Sequence, residues 1–154
     1  MLNTTLIYLE QEGQYLMLHR VKKENDINRD KWIGVGGKCE ENESPEECAI
    51  REICEETGLT VLPEDLEYRG IITFTCTDYE GEYMHLFTAQ KFTGTIRDCD
   101  EGELVWVPKD EVPNLPSWEG DKLFLKRICE PSPFFSMKLE YEGQNLVSYT
   151  VKNV

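Results

Sequence analysis

Two apolar runs near the start of the chain, Thr5–Leu9 and Tyr15–Leu18, flank the polar stretch Glu10-Gln11-Glu12-Gly13-Gln14. This pattern predicts a β-hairpin. The polar stretch Val21–Lys31 reads as a loop, and Trp32–Gly37 as a short strand whose glycines permit close backbone approach to a partner strand or a ligand. Ser44-Pro45-Glu46-Glu47 marks a helix start, with Ser as cap, Pro at the first position and Glu three residues after the cap. That helix should end near Gly58. Further strands are expected at Glu67–Cys76, Glu82–Phe92 and Glu103–Val107, with turns at Gly81 and Gly94, and a second helix over Trp118–Cys129. Phe134–Tyr141 and Leu146–Val151 alternate apolar and polar residues around Glu142-Gly143-Gln144-Asn145, which predicts a second hairpin. Strands outnumber helices but both are present, so the fold class is α/β or α+β, a mixed sheet covered by helices.

Length and composition narrow the picture. A chain of 154 residues with 40% hydrophobic content supports one core, so residues 1–154 read as a single domain. No run of about 18 apolar residues occurs, and Met1-Leu2-Asn3-Thr4-Thr5 lacks the basic flank and apolar segment of a secretory signal. A cytoplasmic protein without membrane contact is expected. The six cysteines form no C-x₂-C pair and read as reduced thiols, which excludes a disulfide scaffold and disfavours zinc. A formal net charge of −14 argues against binding a long nucleic-acid backbone, so any nucleotide partner is small. The oligomeric state, monomer or homodimer, stays open.

The placement of the acidic residues matters more than their number. On a helix, where each residue advances about 100°, Glu52, Glu55 and Glu56 share one sector. Ile50, Ile53, Cys54 and Thr57 fill the opposite sector and would pack on the sheet. Like charges at this spacing destabilise a helix, and the macrodipole disfavours anions near its C-terminus. Arg51 can bridge to Glu47 and Glu55, four residues away on either side, which leaves Glu52 and Glu56 without a local cation. A divalent ion is the simplest remedy, and carboxylate oxygens suit Mg²⁺ or Mn²⁺.

Gly37-x₅-Glu43-x₇-Arg51-Glu52-Ile53-x-Glu55-Glu56-x-Gly58-Leu59 resembles the Nudix box at every fixed position. The resemblance implies a loop–helix–loop on an α/β/α sandwich and hydrolysis of a nucleoside diphosphate linked to another moiety. It implies Glu52, Glu55 and Glu56 as catalytic metal ligands, completed by the Gly36 or Gly37 carbonyl region. Gly37, Glu43, Arg51 and Gly58 would support them. In MutT-type members a further acidic residue comes from outside the box; Glu101 matches by spacing, with Asp98, Asp100 and Glu103 as competitors. Arg20 and Lys38 resemble the basic residues that meet substrate phosphates.

Beyond the box, Lys31-Trp32-Ile33-Gly34-Val35-Gly36-Gly37-Lys38, Trp118-Glu119-Gly120-Asp121 and Pro133-Phe134-Phe135-Ser136-Met137-Lys138 are similar to the MutX-type and animal 8-oxo-dGTP diphosphatases. The similarity spans nearly the whole chain and implies 8-oxo-dGTP as substrate. Trp118 would then stack on the purine, Asp121 or Glu119 would read its polar edge, and Phe74 would form a second wall. This sequence departs from the animal pattern at Ile33, where those enzymes carry an Asn against the oxidised base. Recognition then falls to Asp121, Glu119 and backbone groups, or the base preference is looser. The alternatives are another Nudix activity, on ADP-ribose, dinucleoside polyphosphates or nucleoside triphosphates in general, or a non-catalytic nucleotide-binding module.

Overall fold

The computed structural model describes residues 1–154. In chain order the elements are β1 (Leu2–Gln11), β2 (Gln14–His19), β3 (Trp32–Ile33), α1 (Pro45–Thr57), β4 (Leu59–Thr60), β5 (Leu66–Cys76), β6 (Glu82–Ala89), β7 (Thr93–Gly94), β8 (Glu103–Pro108), α2 (Asp121–Ile128), β9 (Phe135–Glu142) and β10 (Asn145–Asn153). The main sheet runs β10-β9-β5-β6-β1-β2-β3, with β8 also paired to β2. Its β1–β6 and β5–β9 pairs are parallel and the others antiparallel, so the sheet is mixed as expected.

The first hairpin exists but is short. Glu12 and Gly13 form its two-residue turn with φ of 51° and 73°, a conformation that matches strand twist. Only Glu10–Tyr15 and Gln11–Gln14 pair across it. Beyond them β1 turns to β6 and β2 to β8. The cause is the continuous apolar run in β1, which has two faces to bury: Leu6 and Tyr8 join one core, Ile7 and Leu9 the other.

Each core is closed by one helix. Ala49 and Ile53 of α1 pack with Ile7, Leu9, Leu16, Val35 and Phe87, whereas Phe124, Leu125 and Ile128 of α2 pack with Leu6, Tyr8, Tyr15, Ile72 and Phe135. Burial of each larger apolar side chain among these contributes about 1.5–3 kcal/mol, so the two layers fix where the helices dock. The result is the expected α/β/α sandwich. Helix α2 starts three residues later than the pattern implied, because Trp118 turns inward and the Gly120 N–H donates to the Tyr141 hydroxyl at 2.7 Å. Neither helix is long and apolar enough to cross a membrane.

The glycine segment continues past β3 along β1. Ile7 N–H donates to the Val35 carbonyl at 2.6 Å and Thr5 N–H to the Gly37 carbonyl at 2.8 Å. A Cβ at Gly36 would stand 2.0 Å from the Thr5 carbonyl oxygen, and the residue has φ of 149°. Only glycine fits there.

Candidate active site

Helix α1 is built as its sequence dictates. Ser44 Oγ accepts from the Glu47 N–H at 3.0 Å and the Glu47 carboxylate accepts from the Ser44 N–H at 2.9 Å, a complete capping box. Gly58 ends the helix with φ of 82°. At that end Arg97 Nη2 donates to the carbonyls of Cys54 and Glu55 at 2.8 and 3.0 Å, a cation where the dipole is negative. Part of the compensation expected from a metal therefore comes from a loop residue.

The buried face of α1 differs from the expected one. It comprises Cys48, Ala49, Ile53, Glu56 and Thr57, while Ile50 is half-buried and Cys54 exposed. Docking on the glycine segment draws Glu56 inward. Its Oε1 accepts from the Gly36 N–H at 3.1 Å, and its Oε2 is buried without any partner. Burial first, then the Glu101 carboxylate, raises the Glu56 carboxyl to about 9. Glu52 stands beside it, so close to the backbone that a Cβ at Gly37 would meet its carboxyl carbon at 2.7 Å.

Arg51 organises the remaining acids. It donates to both Glu43 oxygens at 2.7 and 2.8 Å, to Glu52 Oε1 at 2.7 Å, to Glu55 Oε2 at 3.2 Å and to the Lys38 carbonyl at 3.2 Å. The bidentate pair holds Glu43 down at about 2. The expected Arg51–Glu47 bridge does not form, because the capping box already engages Glu47. Glu52 and Glu56 thus lie together beside Gly36 and Gly37, whereas Glu55 pairs with Arg51 with 59% of its side chain exposed.

Glu101 faces this group. It pairs with Arg20 Nη1 and Lys23 Nζ, each at 3.3 Å, and its charge acts on Glu56. Its competitors Asp98, Asp100 and Glu103 are exposed. The orphaned, buried Glu56 oxygen, with the Glu52 and Glu101 charges acting on it, has the chemistry of a donor to a hard divalent cation, and the acids do not close into a three-ligand cluster in this structure.

On the other side of the glycine segment lies a cavity of about 240 Å³. Arg20, Ile33, Lys38, Phe74, Trp118 and Asp121 line it, and so do Gly36 and Gly37, which join it to the acidic group. Trp118 is held edge-on by Phe74 and Tyr141 at centroid distances of 5.7 and 5.1 Å, and Lys31 Nζ stands 4.8 Å from its ring. Asp121 is raised to about 7 by burial, against the opposing charge of Lys31. Glu119 is exposed and outside the lining, so of the two acids considered for the base edge only Asp121 faces the cavity.

The NUDIX domain model matches residues 2–128. The chain belongs to the Nudix family. It is 29% identical over 147 residues to the oxidized purine nucleoside triphosphate hydrolase of Danio rerio, covering 93% of this chain and 88% of that protein. The Mus musculus protein of the same name is 28% identical over 133 residues, covering 86% and 84%. The crystal structure of a MutT protein from Bacillus halodurans superposes with a TM-score of 0.87 at 29% identity, covering 98% of this chain and 97% of that one. Nudix hydrolases are generally dependent on divalent metals and act on small nucleotides.

Several residues around the Nudix site escaped the sequence reading. Thr5, Asn28, Glu82, Met84 and Tyr141 also line the cavity. Thr5, Glu82 and Met84 sit in ordinary strand patterns that carry no mark of a site. Asn28 had a faint signal: Arg20, Asp26 and Asn28 put a cation, an acid and an amide in one loop.

Proposed function

We propose that this Nudix hydrolase cleaves 8-oxo-dGTP to the monophosphate and pyrophosphate, acting with Mg²⁺, or Mn²⁺ in its place, as a sanitising enzyme of the nucleotide pool. The observation that carries the reading is the shared wall: Gly36 and Gly37 border both the Trp118–Asp121 cavity and the Glu52–Glu56 carboxylates. A base in the cavity would put its phosphates at the acids. The names of the fish and mouse relatives point the same way. A cavity of about 240 Å³ accommodates one purine, which favours a mononucleotide over ADP-ribose or a dinucleoside polyphosphate.

In this reading Glu52, Glu55 and Glu56 hold the metal with the Gly36–Gly37 carbonyl region, and Glu101 is a further ligand or the general base. When bound, such an ion neutralises phosphate charge and makes a water nucleophilic near neutral pH. Arg51 positions Glu52 and Glu55, and Glu43 in turn fixes Arg51. Arg20 and Lys38 meet the substrate phosphates, and because Arg20 pairs with Glu101, phosphate binding and the acid are electrostatically linked. Trp118 and Phe74 enclose the base, while Asp121 accepts from its polar edge when ionised and donates when protonated. Residues 1–154 act as one domain, and six free cysteines support residence in the reducing cytosol.

The test is pyrophosphate release with Mg²⁺ from 8-oxo-dGTP, dGTP, ADP-ribose and a dinucleoside polyphosphate, compared by kcat/KM. A preference of about tenfold or more for 8-oxo-dGTP over dGTP is expected. Faster turnover of either dinucleotide would replace the substrate assigned here.

A further inference from the structure

The loop between β2 and β3 reaches the base cavity through a chain of short contacts. Arg20 Nε donates to Asp26 Oδ2 at 2.6 Å, the Asn28 N–H donates to Asp26 Oδ1 at 3.0 Å, and Trp118 Nε1–H donates to Asn28 Oδ1 at 2.7 Å. An indole N–H is only ever a donor, so the amide oxygen must face Trp118 and the amide nitrogen must face away from it. Asn28 is half-buried and lines the cavity with Trp118 and Asp121. Its Nδ2 donates to no group of the protein, whereas Oδ1 and the backbone N–H are both engaged.

We propose that Asn28 is a specificity-determining residue: its Nδ2, locked by the Trp118 hydrogen bond, presents a fixed donor to the base edge and selects purines with a carbonyl oxygen there over purines with an amino group. The inference rests on the reading that the base enters this cavity. A free amide could flip to suit either edge, but flipping this one would set two N–H donors against each other at Trp118. An amino purine would likewise confront donor with donor, and a site built around one hydrogen bond rejects the ligand that leaves it unpaired. The Ile33 side chain has no polar atom, so Asn28 supplies the amide from the preceding loop. The Arg20–Asp26 pair holds that loop at the phosphate end, so the residue that reads the base is anchored to one that would meet the phosphates.

Asn28→Asp separates reading from mere support of Trp118. The carboxylate still accepts the indole N–H, but its second oxygen turns the donor into an acceptor. The kcat/KM ratio of dGTP to dATP, with 8-oxo-dGTP alongside, is measured for the wild type, N28D, N28A and W118A. The expected result is a fall in that ratio of about ten- to a hundredfold in N28D and a shift toward unity in N28A, which removes the donor without adding charge. A ratio within twofold of wild type in both Asn28 variants, with W118A still raising KM for every nucleotide, overturns the assignment and leaves the base site standing. If W118A also leaves every KM unchanged, the base binds elsewhere and the underlying reading falls with it.

Discussion

Glu56 and Glu43 stand thirteen positions apart in one motif and are driven in opposite directions. Arg51 holds the Glu43 carboxyl at about 2, whereas burial and then Glu101 raise Glu56 to about 9. Because the Glu56 value lies above the ordinary 4.5, the folded metal-free protein binds a proton that the unfolded chain has released. Its stabilising contribution is full below about 4.5 and is lost as pH rises toward 9. Thermal melts between pH 5 and 9 without metal should therefore show a declining Tm, a decline that Glu56→Gln flattens. Mg²⁺ should raise the Tm of the wild type most at the alkaline end, where the carboxylate is free to bind it. The same E56Q variant should remain folded and lose turnover by about a thousandfold or more; activity close to wild type would remove Glu56 from the metal site.

At the scale of elements, α1 and the glycine segment serve different ends. The capping box starts the helix but touches nothing in the site, so Ser44→Ala should cost about 1 kcal/mol of stability by denaturant titration and leave kcat and KM near wild type. Gly36→Ala should do more damage on both counts. Its new Cβ collides with the Thr5 carbonyl at 2.0 Å, pushing the segment off β1 and withdrawing the N–H that holds Glu56. A Gly36→Ala protein with normal stability and turnover would mean that the strand gives way without cost. The helix also shows how far a local pattern reaches. Periodicity identified the acidic ridge and both ends of α1, but it put Cys54 on the buried side and left Glu56 outside, because which flank of an amphipathic helix is drawn inward depends on the surface that receives it.

Across the whole molecule, the cavity is assembled from distant parts of the chain: Arg20 at the end of β2, Asn28 in the loop, Phe74 in β5 and Trp118 ahead of α2. Its far wall depends on α2, which is anchored by Phe124, fully buried against Tyr8 at a centroid distance of 6.3 Å. Phe124→Ala should cost about 3–5 kcal/mol. The folded fraction should show a raised KM with kcat retained, since Trp118 and Asp121 would shift while the acids on α1 stay on the opposite layer. A fall in kcat with KM unchanged would show that the two layers are not independent.

The sequence by itself determined the acidic helix, its caps, eight of the ten strands and the acids at fixed spacing, because these follow from periods of 3.6 and 2 and from short-range capping that any flanking structure preserves; the two-residue strands β4 and β7 are too short to carry a period. It also singled out Trp118, Asp121 and Phe74, through similarity outside the box. Only the tertiary structure decided that Glu56 is the buried carboxylate and Glu55 the exposed one, that Arg97 rather than a neighbour on the helix caps its C-terminus, and that Asp121 rather than Glu119 lines the cavity. It alone brought Asn28 to Trp118 across 90 residues. Each of those outcomes depends on desolvation and on contacts between segments remote in the chain, quantities that do not exist until the sheet has closed between its two helices.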